Sequence, residues 1–458
     1  MKTRIMTLLI CCIALSVFAE TILPMPPVML KGKPFFPVGA WDIIENDGMG
    51  NQIISPGFLA AGGNLALIGS LGLPGHPEYQ LHRQPQLYKR LELLSRRKEA
   101  ENIALIVCLD HALYMQETFD ENKKVFYHPV LGDEAKKRSG ILAEDLRKLR
   151  NNPNILGYTI DEPENAFYKY YSKNNGKLWP KDDQHGLEPM MSEWCLWFND
   201  TIRKEHPEAK LMPIVAWWTS YDKVPEMYDI LMPDQYPTKV EQMPEITYDA
   251  IMAVRAARKL GGNRTVIYIP PMFDKCNGYL YLNREQQRYA CFSPIVNGAM
   301  GILGWRLLRC SEKHKAKVVY PTISELTQLS DFFLGEWHDE LLSSDHDTTT
   351  AEHLKRFREK VTMAEGGEDG KMVEAKCVVP DVSHCLRRNP ATGEYLLVVC
   401  SNLTQDVKVK LTIKKDAFPK ILIDYFTREQ FPTKGNTVEL ELNPFDTKAF
   451  KWIPSNDL

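Results

Sequence analysis

The sequence predicts an α/β protein in two domains: a (β/α)8 TIM barrel followed by a small all-β sandwich. Eight short apolar runs alternate with amphipathic stretches over the first 340 residues, as the strands and helices of a barrel do. From residue 371 onwards only strand-like segments remain, several of which alternate polar with apolar residues. A chain of 458 residues is also too long for one ordinary core of roughly 100–200 residues.

The N-terminus has the pattern of a secretory signal peptide. Lys2 and Arg4 precede an uncharged run from Ile5 to Val17, and Val17 and Ala19 are the small residues expected before a cleavage point. This run is too short to cross a membrane, which takes about 20 residues, and no other stretch is long and apolar enough. We therefore expect residues 1–19 to be removed, and the mature protein to be secreted or periplasmic and without a membrane span.

The barrel is expected between about residues 30 and 340. Its predicted strands are the apolar runs Phe36–Trp41, Leu65–Ser70, Ile103–Asp110, Ile155–Asp161, Leu211–Trp217, Ile230–Asp234, Val266–Pro270 and Gly301–Leu307. A short helix from Pro56 is followed by longer helical periodicity over Gln86–Glu101, Glu134–Arg150, Met190–Glu205, Tyr248–Leu260, Arg284–Ala299 and Thr322–Leu334. An open doubly wound sheet would alternate similarly. However, no G-x-G-x-x-G follows the first strand and no P-loop is present, which favours the barrel.

A polar segment, 341–370, is expected to link the two domains. It contains the polar stretches Asp345–Thr350 and Glu365–Gly370. Residues 371–458 then form the second domain, with strand-like runs at Glu394–Ser401, Val407–Ile413, Ile421–Tyr425, Thr437–Leu442 and Ala449–Ile453. The alternation in these runs indicates half-buried antiparallel strands, so a sandwich is predicted.

Composition and motifs exclude several classes of function. The chain has 56 basic and 59 acidic residues and no basic stretch interleaved with aromatic residues, so we expect no nucleic-acid partner. No C-x-x-C, H-E-x-x-H or G-x-S-x-G occurs, and we therefore expect no metal and no cofactor. Cys276 with Cys310, and Cys377 with Cys385, are the first candidates for disulfides in an exported protein.

Polar and aromatic residues follow one predicted strand after another. In a parallel barrel the carboxyl ends of all strands meet at one face, where catalysis takes place. The candidates are Trp41, Asp42, His76, Asp110, His111, Asp161, Glu162, Trp217, Asp234, Tyr236, Asp274, Trp305 and Arg306. Carboxylates can transfer protons and indole rings can stack on the C–H faces of a sugar. The expected partner is therefore an oligosaccharide, a polysaccharide or another glycoside.

Each candidate also has a structural alternative. The acidic stretch from Asp161 to Glu164 would equally suit the first turn of a helix. Asp234 can begin an Asx turn, and Arg306 can pair with a carboxylate to hold the barrel together. Asp110 and His111 can form a structural pair, and His76 can be an ordinary surface residue.

Three segments resemble clan-A glycoside hydrolases, the barrels related to β-galactosidases and cellulases. Residues Lys31–Gly39 resemble their opening strand, and Asn297–Trp305 resemble their seventh helix and eighth strand. Gly157–Pro163 resembles their fourth-strand motif, usually Asn-Glu-Pro, in which the Glu is the general acid/base. The C-terminal segment Val438–Lys451 is similar to sandwich domains appended to such enzymes.

The resemblance implies a glycoside hydrolase in which Glu162 is the general acid/base and Trp305 stacks on the sugar. Asp161 stands where the family has Asn. The family's nucleophilic Glu at the end of strand seven is missing, so the resemblance leaves the second carboxylate open: Asp274, Asp234 or Asp110. A barrel that binds sugars without cleaving them, or one that catalyses another reaction, stays an alternative.

Overall fold

The computed structural model describes most of the chain as a series of ranges. They are 24–46, 49, 52–71, 90–94, 98, 101–109, 115–119, 125–129, 132–160, 187–215, 225–274, 278–358, 372–414 and 418–453. The expected signal peptide lies outside them and stays a prediction. Across these ranges no helix has the length and apolar character needed to span a membrane.

Parallel strands form the centre of the first domain, each overlapping one of the predicted apolar runs. They are β1 (Val38–Trp41), β2 (Leu65–Leu71), β3 (Ala104–Leu109), β4 (Ile155–Ile160), β5 (Lys210–Leu211 and Ile214–Val215), β6 (Ile230–Pro233), β7 (Thr265–Val266) and β8 (Ile302–Gly304). Six pair in the order β5-β4-β3-β2-β1-β8, and β5, β6 and β7 pair in sequence. Beyond β7, Tyr268 and Pro271 form parallel bridges to Ile302 and Trp305.

The strands are buried on both faces, which explains their nearly continuous apolar sequences. In β3 and β4 every residue is buried. Alternate residues of β3 separate into two clusters: Ile106 packs in the inner cluster with Leu156 and Ile230, whereas Leu105 and Val107 pack in the outer cluster with the helices. The inner cluster therefore packs on one face of the strands and the outer cluster on the other.

Helices follow most strands and cover the outer cluster. The named ones are α1 (Pro56–Ala60), α2 (Gly132–Leu149), α3 (Leu187–Glu205), α4 (Pro244–Leu260), α5 (Arg284–Val296), α6 (Tyr320–Gln328) and α7 (Ser330–Phe333), and residues 90–94 are also helical. Local sequence explains their bounds. Pro244 begins α4 and Gly261, at φ 70°, ends it, while Asn283 and Gln286 form a capping box on α5.

Short elements lie in the loops between strands and helices. Antiparallel hairpins pair Val28–Leu30 with Lys33–Phe35, Ile44–Asn46 with Gln52–Ile54, and Met115–Phe119 with Val125–Pro129. After β8 the chain forms a 3-10 turn, a short helix and one π-helical turn: Leu307–Arg309, Glu312–His314 and Lys315–Val319. Two of the hairpins and the π turn follow the carboxyl ends of strands, so they surround the face on which catalysis was expected.

The second domain consists of two antiparallel sheets. The first has the order Glu336–Trp337, Val382–Arg388, Tyr395–Ser401 and Thr447–Trp452. The second has the order Leu342–Ser344, Val407–Ile413, Thr437–Leu442, Gln430–Lys434 and Ile421–Ile423. An apolar core separates them, with Leu397 and Val399 from one sheet against Val409 and Leu411 from the other.

Two expectations about this region differ from the structure. The segment expected to be a linker, 341–370, contains the strand Leu342–Ser344 and the strand Thr350–Arg358, which pairs with Met372–Pro380. The expectation of a linker followed from the polar sequence of this segment, which lacks the hydrophobic pattern that indicates strands. The disulfide prediction was wrong for both pairs: Cys310 and Cys385 are buried free thiols, and burial raises the pKa of each to about 12.

The first sheet of the sandwich packs directly on helices of the first domain. Leu396, Val398 and Ala449 belong to the same apolar cluster as the barrel helices. A buried polar network crosses the contact, where Asn402 accepts hydrogen bonds from the hydroxyls of Thr247 (3.0 Å) and Tyr289 (2.9 Å). Because this network is buried and satisfied, it fixes how the two domains fit together.

Candidate functional site

Three of the predicted aromatic residues gather over one end of the inner cluster. Trp41, Tyr236 and Trp305 each pack against the inner apolar cluster of the strands. Their position follows from strand alternation, because Trp305 lies two residues after the inward-facing Leu303 and Tyr236 lies four after Met232. The structure therefore brings the ends of β1, β6 and β8 together.

Asp234 lies in the same place, at the end of β6. It continues the inward face of Ile230 and Met232, and only 5% of its surface is exposed. Its backbone N–H donates to the Val215 carbonyl at 3.2 Å, which fixes it to β5. The Tyr236 hydroxyl donates to Asp234 Oδ2 at 3.2 Å. Asp234 is thus a buried carboxylate held by a neighbouring phenol.

Four aromatic rings form a compact cluster beside Asp234. Tyr236 stacks on Trp305 with ring centroids 4.4 Å apart and planes 6° apart. Phe273 and Tyr279 meet the Trp305 ring edge to face, at 5.3 and 5.9 Å. The sequence analysis missed Phe273 and Tyr279. The available sequence signal for Phe273 was its position directly before the candidate Asp274.

Charged residues at the ends of the neighbouring strands β1 and β8 adopt left-handed backbone conformations. Asp42 has φ 61° and Arg306 has φ 58°, and each directly follows a tryptophan. This conformation costs a residue with a side chain roughly 1–2 kcal/mol. Strained backbone of this kind tends to occur at functional sites. Here it interrupts the regular alternation of side chains at the same end of β1 and β8.

The carboxyl of Asp42 has a perturbed proton affinity. Burial raises its pKa above the usual value, and the nearby guanidinium groups of Arg90 and Arg306 oppose that rise. Arg90 Nη1 lies 3.9 Å from Asp42 Oδ1, and the two side chains are 25% and 33% exposed. Asp42 is therefore a carboxyl that holds its proton to a higher pH than an exposed aspartate.

Arg306 changes the expected role of Trp305. Its guanidinium carbon lies over the Trp305 ring, 4.3 Å from the centroid, while Tyr236 stacks on the same indole. Trp305 is only partly exposed, whereas Arg306 is exposed. A sugar ring could stack on Trp305 only by displacing one of these two groups.

Asp274 is held in a cap interaction. Ser311 donates its backbone N–H to Asp274 Oδ1 at 2.7 Å and its hydroxyl to Oδ2. Ser311 also caps the short helix Glu312–His314, whose His314 N–H donates to the Ser311 hydroxyl at 3.2 Å. Burial lowers the pKa of His314, and the Asp274 charge opposes that change. Both carboxylate oxygens of Asp274 are thus used to hold the turn after β8.

Six predicted site residues lie outside the described ranges: His76, Asp110, His111, Asp161, Glu162 and Trp217. Their places in the chain are nevertheless informative. Asp110 directly follows the last residue of β3, and Asp161 directly follows the last residue of β4. Their roles stay predictions. Among the residues with described positions, no group of three or more His, Cys, Asp or Glu side chains could hold a metal ion.

Comparison with known proteins identifies the fold but no family by sequence. No protein-family model matches the chain, and no curated protein matches it. The GH30 endoxylanase from Clostridium papyrosolvens C71 is similar in structure, with a TM-score of 0.50 and 9% identity over 93% of this chain and 98% of that one. Eubacterium rectale Amy13B is similar too, with a TM-score of 0.51 and 9% identity over 93% and 97%.

At this identity the likeness concerns the fold alone. The likeness agrees with the fold that the resemblance to clan-A-type glycoside hydrolases implies, and it extends over nearly the whole chain. It does not identify a family, a catalytic residue or a substrate.

Proposed function

We propose that this chain is an exported glycoside hydrolase that cleaves an O-glycosidic bond, with Glu162 as the general acid/base. The observation that carries the proposal is the convergence of Asp234, Tyr236 and Trp305 on the inner face at the strand ends. A buried carboxylate beside aromatic rings suits a sugar, which offers both hydroxyls and apolar C–H faces. Glu162 follows β4 by two residues, the position that the resemblance gives to the proton donor.

The proposal includes a closed eight-stranded barrel. In support, each of β1 to β6 pairs in parallel with the next strand along the chain, and β8 pairs with β1. The bridge of Tyr268 to Ile302 joins the chain beyond β7 to β8. Closure would place the carboxyl ends of all eight strands, and so Glu162, around one pocket.

In the proposed reaction, Glu162 donates its proton to the glycosidic oxygen as the bond to the anomeric carbon breaks. Water attacks that carbon, and Asp234 accepts a proton from the water. The Tyr236 hydroxyl, 3.2 Å from Asp234 Oδ2, holds the carboxylate in position. Asp234 is the better candidate for the second carboxylate than Asp274, because both oxygens of Asp274 are bonded to Ser311.

A sugar-binding protein without turnover is the second candidate. It is favoured by the use of Asp274 as a cap, which engages both oxygens of the carboxylate at the position where the resemblance expects a nucleophile. This alternative predicts saturable binding of oligosaccharides and no hydrolysis of any glycoside.

The test is hydrolysis of a broad panel of aryl glycosides and polysaccharides by wild type, Glu162→Gln and Asp234→Asn. We expect each variant to lose at least about 100-fold in kcat, since positioned acid–base groups contribute factors of that order or more. Glu285→Gln, at an exposed glutamate in the first turn of α5, is the matched control and should keep wild-type rates. Wild-type rates in Glu162→Gln would refute the assignment, and no turnover by wild type on any glycoside would favour the binding protein.

A further inference from the structure

Two exposed tyrosines extend the aromatic cluster of the candidate site towards solvent. Tyr279 and Tyr281 lie in the stretch 278–282, just before α5, and 36% and 47% of their surfaces are exposed. Among the residues whose side chains the structure describes, no other Phe, Tyr or Trp is exposed to this degree. Exposed apolar surface next to a pocket is typical of a binding surface, so the pair is a candidate contact for a ligand.

The backbone of this stretch is fixed beside the end of β6. The Leu280 N–H donates to the Pro237 carbonyl at 2.9 Å, one residue beyond Tyr236. Leu280 packs against the outer apolar cluster, to which the buried Leu282 belongs. Exposed and packed side chains therefore alternate along 279–282, as they do in an extended chain, and the two tyrosines share the exposed face.

Tyr279 connects this exposed face to the candidate site. Its ring meets the rings of Tyr236 and Phe273 edge to face, with 5.7 Å between centroids in both cases, and that of Trp305 at 5.9 Å. An extended chain advances about 3.3 Å per residue, which places the Cα atom of Tyr281 about 7 Å further along. The aromatic surface thus continues from the cluster beside the buried carboxylate to the rim of the site.

An exposed tyrosine at a rim suits a sugar better than a packed ring does. The faces of Tyr236 and Trp305 stack on each other at 4.4 Å, so part of each ring is already covered. Tyr281 keeps the larger exposed surface of the loop pair. Its ring can pack on the C–H face of a sugar while its hydroxyl exchanges hydrogen bonds with sugar hydroxyls. The chemistry of the rim therefore matches that of a neutral saccharide.

Resting on the proposed function, we propose that the substrate is a saccharide chain and that Tyr281 binds a sugar unit remote from the cleaved bond. Tyr279 lies between that subsite and the buried carboxylate. A remote contact of this kind supplies binding energy that a short glycoside lacks, so long chains would be bound and cleaved better than short ones. Tyr281 is thus a specificity residue for chain length and takes no part in the chemistry.

The experiment measures affinities of the full-length protein by titration calorimetry. The probes are S-linked gluco-, xylo- and malto-oligosaccharides of two and of six units, which resist hydrolysis. In the series that binds most tightly, we expect the wild type to prefer the six-unit chain by about tenfold or more. Tyr281→Ala should lower affinity for that chain about fivefold or more and leave the two-unit probe unchanged, whereas Tyr281→Phe, which keeps the ring, should retain the preference. Ile421→Ala, at an equally exposed residue of the sandwich, is the matched control and should change neither affinity.

The outcomes separate this inference from the proposed function. Equal affinity of the wild type for both chain lengths in every series overturns the inference, as does the absence of binding in all of them. A preference for the longer chain that Tyr281→Ala leaves unchanged also overturns it, even if O-linked glycosides are hydrolysed. A preference that depends on Tyr281, in a protein that hydrolyses no O-linked chain, would leave the subsite standing and refute the hydrolase.

Discussion

Asp42 shows how a single residue links backbone strain, burial and charge. Its carboxyl lies at the end of β1 in a left-handed conformation, and burial raises its pKa despite two nearby arginines. A carboxyl whose folded-state pKa is raised stabilises the fold below its unfolded pKa of about 3.9. That contribution is lost as pH rises through the folded pKa.

Replacement of this carboxyl should therefore change the pH dependence of stability. Asparagine tolerates the left-handed conformation and cannot ionise. We expect the unfolding free energy of Asp42→Asn, relative to wild type, to rise between about pH 4 and neutral pH, in urea titrations at several pH values. Asp133→Asn, at a fully exposed aspartate at the start of α2, is the control. A difference that stays flat or falls with pH would contradict the account.

Substitution of Asp274 can test whether this residue, predicted to be catalytic, instead holds the turn after β8. The sequence placed it at the end of strand seven, where the nucleophile was expected, but the structure bonds both its oxygens to Ser311. We expect Asp274→Asn and Ser311→Ala to lower the unfolding free energy by about 1–3 kcal/mol each, and the double variant by little more than one of them. A loss of kcat in Asp274→Asn that Ser311→Ala does not share would restore the catalytic role.

The sequence predicted which residues follow the strands, but it did not predict the contacts that their side chains make. Alternation explains why Trp41 and Trp305 pack against the inner cluster and why Asp234 is buried, because the side-chain period of a strand is two. Nothing in the residue pattern indicated that Arg306 would cover Trp305 or that Ser311 would hydrogen-bond Asp274. The first contact depends on the left-handed backbone of Arg306, and the second on loops that bring together residues 37 apart in the chain.

At the scale of elements, a close approach between β4 and β5 requires a glycine. A Cβ on Gly157 would lie 2.0 Å from the Lys210 carbonyl oxygen, a backbone atom that cannot rotate away. We expect Gly157→Ala to lower the unfolding free energy by about 1–3 kcal/mol or more in chemical denaturation. Gly140→Ala, on the open surface of α2, has nothing within 4 Å and should stabilise the chain slightly. Equal effects of the two substitutions would contradict the strand register.

The elements with a strong hydrophobic pattern were predicted well, whereas strands in polar segments were not. The apolar runs matched the strands because burial on both faces demands a continuous apolar sequence. The hairpin of Thr350–Arg358 and Met372–Pro380 was missed because its first strand lies in a polar segment that resembled a linker. Hydrophobic patterning reports burial, so strands that bury little leave a weak pattern.

At the scale of the whole molecule, the two domains should unfold together. Besides the network around Asn402, Arg288 donates to the Thr447 carbonyl of the sandwich at 2.8 Å and to Glu325 Oε2 at 2.7 Å. These contacts are buried and join the domains through a shared apolar cluster. The sandwich thus covers part of the helical surface of the first domain.

Asn402→Ala tests this coupling, because it leaves the hydroxyls of Thr247 and Tyr289 without that acceptor. We expect a loss of about 2–3 kcal/mol in unfolding free energy, within a single transition seen by both circular dichroism and tryptophan fluorescence. Asn263→Ala, at an exposed asparagine, should change stability by less than about 0.5 kcal/mol. Separate transitions for the two domains would contradict the proposed coupling.

The most direct test of the central claim is the dependence of Glu162→Ala on the leaving group. A general acid assists departure of poor leaving groups and is dispensable for very good ones. With any glycoside that the wild type cleaves, we predict that Glu162→Ala lowers kcat/KM at least 100-fold more for the alkyl glycoside than for its dinitrophenyl counterpart. An equal loss on both, or no loss on either, would contradict the assignment of Glu162 as the acid.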